Sequence, residues 1–102
     1  MEAQIAVGWL LYHTQGPQPA ETHFTELIKP NVDSVAVFCA LGELYRLTHN
    51  YHASARCLHD ASNQRPNDLN ILRALAAVQH EAGFTGEAAE TVDRIRKLGG
   101  EV

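Results

Sequence analysis

Residues 38–45 read Phe38-Cys39-Ala40-Leu41-Gly42-Glu43-Leu44-Tyr45, and Ser54, Leu58, Ala61 and Pro66 follow at set distances. Each residue type has a structural use. Phe38 and Leu41 are large enough to be expected between packed helices. Gly42 removes a side chain where the helix backbones approach, at a cost of roughly 1 kcal/mol in helix propensity against Ala. Pro66 ends the second helix and sets the turn after it. The stretch therefore specifies helix, turn and antiparallel helix.

The spacing Phe38-x2-Leu41-Gly42-x2-Tyr45, then Ser54-x3-Leu58, Ala61 and Pro66, resembles the tetratricopeptide repeat, whose pattern recurs over about 34 residues. A shift forward by one period places Leu72, Leu75, Ala76, Gly83, Ala88, Val92 and Ile95 on the hydrophobic, small and turn positions. Ala76 replaces glycine there, and Gln79 replaces tyrosine. A shift backward places Val7, Gly8, Leu11, Ala20, Phe24 and Leu27, with Gln4 at the first aromatic position and Pro30 earlier than the pattern's proline. Terminal repeats are commonly atypical. The resemblance implies an all-α fold of three tandem helix-turn-helix units. Six antiparallel helices would stack into a right-handed superhelix, in a single domain over 1–102 with repeats at about 1–34, 35–68 and 69–102.

The helix punctuation agrees. Gly16-Pro17-Gln18-Pro19 separates the first two helices, with Pro19 suited to a first turn. Lys29-Pro30-Asn31-Val32-Asp33 breaks the second from the third, and Asp33 or Ser34 caps the third. Thr48-His49-Asn50, Arg65-Pro66-Asn67-Asp68 and Gly83-Phe84-Thr85-Gly86 form the later turns, with Asn50, Asp68 and Thr85 as caps. Arg94, Arg96 and Lys97 favour a helix C-terminus, and Gly99-Gly100 stops it. Six helices of about three turns each are expected, and no strand.

Composition narrows the function. With 102 residues and 45% hydrophobic content, the chain suits one folded domain. A net charge of -4 argues against nucleic acid and against anionic membrane surfaces. Cys39 and Cys57 are too few for a secreted disulfide framework and read as reduced thiols in a cytoplasmic protein. The amino end lacks a basic leader, and the apolar stretch from Ile5 to Leu11, interrupted by Gly8, is too short for a membrane span.

In the tetratricopeptide family the first helix of each unit lines a concave groove. Carried onto this sequence, the resemblance gives Ile5, Trp9, Tyr12 and His13 on the first helix. It gives Ala36, Cys39, Glu43 and Arg46 on the third, and Asn70, Arg73, Ala77 and His80 on the fifth. Trp, Tyr and Arg are common interface anchors; Trp9 packing inside the terminal unit is the alternative for that residue. The implied partner is another protein, presenting an amphipathic helix or extended segment with apolar anchors. The clamp that holds acidic chaperone C-termini in one branch of the family needs Lys, Asn and Arg. This chain has Ile5, Trp9, Ala40, Asn70 and Ala74 at those positions, which excludes that role. Arg46 and Arg73 remain candidates for holding a carboxylate between neighbouring helices.

Stand-alone repeat arrays usually finish with a polar capping helix, whereas here the sequence stops shortly after Gly100. Ala88, Val92 and Ile95 are expected to face the partner helix of their own hairpin, whereas Ala89 and Leu98 need not and are left to be covered. Either Arg96 and Lys97 stems cover a small remainder, or another protein or a second copy completes the stack as a hetero- or homodimer.

Catalytic and metal chemistry find little footing. His49 and His52 sit three apart around a turn, and the span from His52 to His59 is too long for one zinc ion. His13 and His80 would make groove binding pH-dependent. Cys57 and His59 point to different helix faces, and nothing supplies Cys39 with an oxyanion site. Gly83-Phe84-Thr85-Gly86 follows no strand, so it is no phosphate loop. The expectation is a non-enzymatic chaperone or adaptor without cofactor or metal. In size and acidity it resembles the small tetratricopeptide chaperones of bacterial type III secretion. A general scaffold subunit of a larger assembly is the alternative.

Overall fold

A computed structural model of the chain describes residues 2–29 and 34–100. Among these residues it is all-α, with six helices and no strand. They are α1 (Glu2–Gln15), α2 (Pro17–Glu26), α3 (Val35–Leu47), α4 (Tyr51–Gln64), α5 (Leu69–Glu81) and α6 (Thr85–Lys97). They pack as three helical hairpins in series: α1 on α2, α3 on α4 and α5 on α6, with α2 meeting α3 and α4 meeting α5. The body measures 39 × 29 × 20 Å. Among the described residues no helix is long and apolar enough to cross a membrane.

One volume trade holds each hairpin. A Cβ on Gly8 would lie 2.3 Å from Cε1 of Phe24, and one on Gly42 would lie 2.8 Å from Cγ of Leu58. Glycine is therefore required where the larger side chain of the second helix presses on the first. In the third hairpin the same positions hold Ala76 and Val92, a bulkier residue facing a smaller one. Ser54, fully buried, adds a hydrogen bond from its Oγ to the Gly42 carbonyl at 2.6 Å. In the third hairpin the link is Thr91 Oγ1 to Gln79 Oε1, 2.7 Å, which explains how a glutamine serves where the second unit has Tyr45.

A second rule stacks hairpin on hairpin. Val37, Leu41 and Leu44 of α3 bury against Ala20 and Phe24 of α2. Leu75 and Val78 of α5 bury against Leu58 of α4. Full burial of such a side chain contributes about 1.5–3 kcal/mol. Each odd-numbered helix after α1 thus lays an apolar stripe on the even-numbered helix before it.

The helix ends follow the sequence reading with two differences. Asn50 Oδ1 accepts from Ala53 N–H (3.4 Å), and Asp68 Oδ1 accepts from the N–H groups of Asn70 (3.0 Å) and Ile71 (3.3 Å). Ser34 occupies the N-cap position of α3; Asp33 and the break at Pro30–Asp33 lie outside the described residues. The first difference is that Gly16 alone separates α1 from α2. Its φ of 97° is a backbone that favours glycine. Pro17 then starts α2, where a missing N–H costs nothing, and Pro19 stands in its first turn. The second is that Phe84, not Thr85, is the N-cap residue of α6, with no side-chain cap bond. The Phe84 N–H closes the end of α5 on the Gln79 carbonyl at 2.8 Å, and its ring rests 4.8 Å from that of His52. That closure leaves no free residue between Phe84 and the helix.

Candidate functional site

The odd helices α3 and α5 stand side by side over α4 and leave a cleft of about 350 Å³ between them. Leu58 of α4 contributes to its lining, Ala74, Ala77 and Val78 line it from α5, and Cys39 and Gly42 line it from α3. Glu43, Arg46 and Glu81 form a charged cluster along it. Arg46 binds Glu43 through two hydrogen bonds, one of them Nε to Oε2 at 3.1 Å, and its Nη1 lies 3.8 Å from Glu81 Oε1. The Glu43 contact pushes the guanidinium further up, so it stays charged. Two carboxylates share one guanidinium, and the cluster is left with a net negative charge.

Neither cysteine is an activated nucleophile. Burial, then the charge of Asp68, raises the Cys39 thiol above its ordinary value. Burial, then Asp60, pushes Cys57 up to about 11. Both are unpaired, half-buried thiols that stay protonated near neutrality, when a nucleophile needs the thiolate. Among the described residues no group of three His, Cys, Asp or Glu side chains could hold a metal ion.

The expected groove residues divide among three places. Cys39, Glu43, Arg46 and Ala77 line the α3/α5 cleft, joined by Asn70. Arg73 and His80 instead line an outer groove formed by α5 and α6, and Ala77 borders both. Arg46 and Arg73 thus face different grooves, and Arg46 already has two carboxylates, so they do not assemble a carboxylate clamp. Ile5, Trp9 and Tyr12 pack, half-buried, on the first core cluster. The Trp9 ring meets Phe24 edge-on at 5.5 Å and Tyr12 at 5.8 Å, while His13 is exposed beside Tyr12 at 5.3 Å. Ala36 is exposed away from both grooves.

Ile71, Val78 and Glu81 line the cleft without having been named in the sequence, and Ala74 was named there only at a clamp position; Ala74 and Glu81 flank Ala77 at three and four residues on α5. Helical spacing puts both on the face of Ala77, but the groove positions implied by the resemblance do not include them. The outer groove, about 720 Å³, is floored by Ala76, Ala88, Ala89 and Val92 and edged by Arg73, His80 and Arg96. Of the apolar residues on α6 and at its end, Ile95 and Ala88 are buried at the base of this groove, Val92 is half-buried, and Ala89 and Leu98 are exposed. No protein-family model matches the chain, and no curated protein is significantly similar to it.

Proposed function

We infer that the chain is a tetratricopeptide-like interaction module, its three hairpins arranged as a right-handed superhelix, that grips a segment of another protein in the α3/α5 cleft. The observation that carries this reading is the cleft itself. Cys39, Glu43, Arg46, Asn70 and Ala77 come from two helices one period apart and line one concavity. Its chemistry defines the partner. The small walls at Ala74 and Ala77 admit an apolar anchor, and the surplus carboxylate of the Glu43–Arg46–Glu81 cluster favours a Lys or Arg one helical turn away. The partner is therefore a basic amphipathic segment, a helix or an extended strand. Gripping needs no nucleophile, cofactor or metal. The setting of this reading is the cytoplasm, where both thiols remain reduced.

Ala74 is exposed and lies in this cleft alone. Its replacement, Ala74→Arg, fills the cleft and opposes a basic ligand. A partner captured by the unaltered chain should be lost with Ala74→Arg, at least tenfold in Kd, while circular dichroism stays the same. An identical set of partners for both would end the reading. Co-expression then separates its two forms. A partner that is insoluble alone and soluble with this chain marks a dedicated chaperone, as the likeness to type III secretion chaperones implies. A partner soluble without it marks a scaffold subunit.

A further inference from the structure

The stacking rule has two exposed ends, and they match each other. Val37, Leu41 and Leu44 of α3 are 0, 3 and 1% exposed because α2 covers them; Ile71, Leu75 and Val78 of α5 are 6, 1 and 2% exposed beneath the preceding hairpin. One period earlier, the same positions on α1 are Ala3, Val7 and Leu10. Val7 is 43% exposed and Leu10 61%, the most exposed large apolar side chain among the described residues. Ala3 and Ala6 are exposed beside them. The opposite face of α1 is already engaged, with Trp9 and Tyr12 on the core and Gly8 beneath Phe24. So α1 is apolar on two sides, and only one is covered.

The receiving surface repeats too. Ala20 and Phe24 receive α3; one period on, those positions are Ser54 and Leu58, and Leu58 lies against Leu75 and Val78 of α5. One period later these positions are Ala88 and Val92, which floor the open outer groove with Ala76 and Ala89. The groove is the place where α5 sits on the second hairpin, carried to the third and left open.

We propose that the outer groove of α5 and α6 receives helix α1 of a second copy of this chain, so that copies join head to tail. Ala3, Val7 and Leu10 of the incoming α1 lie on Ala88 and Val92, as Leu75 and Val78 lie on Leu58. The contact is heterologous, so it generates rings or open filaments and not a closed two-fold dimer. It rests on the period and on the two exposed faces, independently of what fills the α3/α5 cleft. The register also specifies a polar contact at its edge. Arg46 of the receiving hairpin meets Glu81 of the arriving helix; one period on, those positions are His80 and His13.

Sedimentation velocity across a concentration series reads the assembly. The average mass of the unaltered chain should rise past that of a dimer with concentration. Leu10→Glu, which spoils only the arriving face, and Ala89→Glu, which spoils only the receiving one, should each sediment as monomers with unchanged helix content. Mixed in equal amounts they should form a species of two chains and no larger, because one good face of each kind remains. The pair His13→Glu with His80→Arg, which restores the Arg46–Glu81 charges across the contact, should assemble at several-fold lower concentration. A strict monomer up to about 1 mM would overturn the proposal. So would an Ala89→Glu chain that assembles normally, since α1 would then be pairing with α1. A mixture of the two variants that stays monomeric would overturn it as well.

Discussion

The hairpins α3/α4 and α5/α6 share one register, yet α5 lies along the outer face of one, and among the described residues no helix lies along that of the other. At matching positions the face bordered by α5 carries Cys39, Gly42, Arg46 and Leu58, and the unbordered face carries Arg73, Ala76, His80 and Val92. Leu58 is 4% exposed because α5 lies over it, whereas Val92, at the same place in its own hairpin, is half-buried. The difference shows that burial here is not a property of the hairpin. It is conferred by the next helix, as expected of a stack in which each unit contacts only its neighbours.

The strongest way to break that comparison is to truncate the matched pair. Leu58→Ala should cost about 3 kcal/mol, the usual loss for a buried leucine, while Val92→Ala should cost under about 1 kcal/mol. Urea unfolding at low protein concentration measures both, and equal losses would mean that the two faces are equally covered. Next in size is the volume trade. Gly42→Ala should cost about 2 kcal/mol by forcing Leu58 aside. Adding Leu58→Val, which reproduces the Ala76/Val92 pairing, should recover about half of that, a coupling that a double-mutant cycle reads directly.

A smaller effect separates true from apparent caps. Asp68→Ala should cost about 1 kcal/mol because it frees two N–H groups at the start of α5. Thr85→Ala should leave thermal stability nearly unchanged, since Thr85 is not the N-cap residue of α6. The smallest concerns the residue that ends each first helix. His49, at φ 62°, sits one period before Gly83, at φ 82°. A left-handed backbone costs a non-glycine residue about 1–2 kcal/mol, partly offset by the greater unfolded freedom of glycine. His49→Gly should therefore raise stability by about 0.5 kcal/mol in the same unfolding assay, after loss of the His49–Tyr51 contact at 3.1 Å. A drop on His49→Gly would show that this contact outweighs the strain.

The residues that make the helices and pair them were legible before any coordinates. Gly42 with Leu58, Asn50 and Asp68 as caps, and the Ala76 substitution all act between neighbours in sequence or within one hairpin. Such rules leave a local mark. The candidate site was legible in part: Cys39, Glu43, Arg46 and Ala77 are groove positions that the resemblance implies, and they line one cleft. Trp9 was harder to place because its large ring suits either a groove or a core, and only the position of Phe24, 5.5 Å away, shows what it packs on. Glu81 was missed because its meaning depends on Arg46, a residue on another helix.

The sequence by itself determined six helices, their pairing into hairpins and the small residues between them, because hydrophobic period, caps and close-approach glycines are written at short range. Tertiary structure alone decided which faces are shut. Arg46 and Arg73 both read as groove arginines but open onto different grooves, and Val7 holds a hydrophobic position of the repeat but lies bare with Leu10. Exposure depends on whether another helix is laid across a surface, and that is settled by the stacking of whole hairpins, not by the residues beneath.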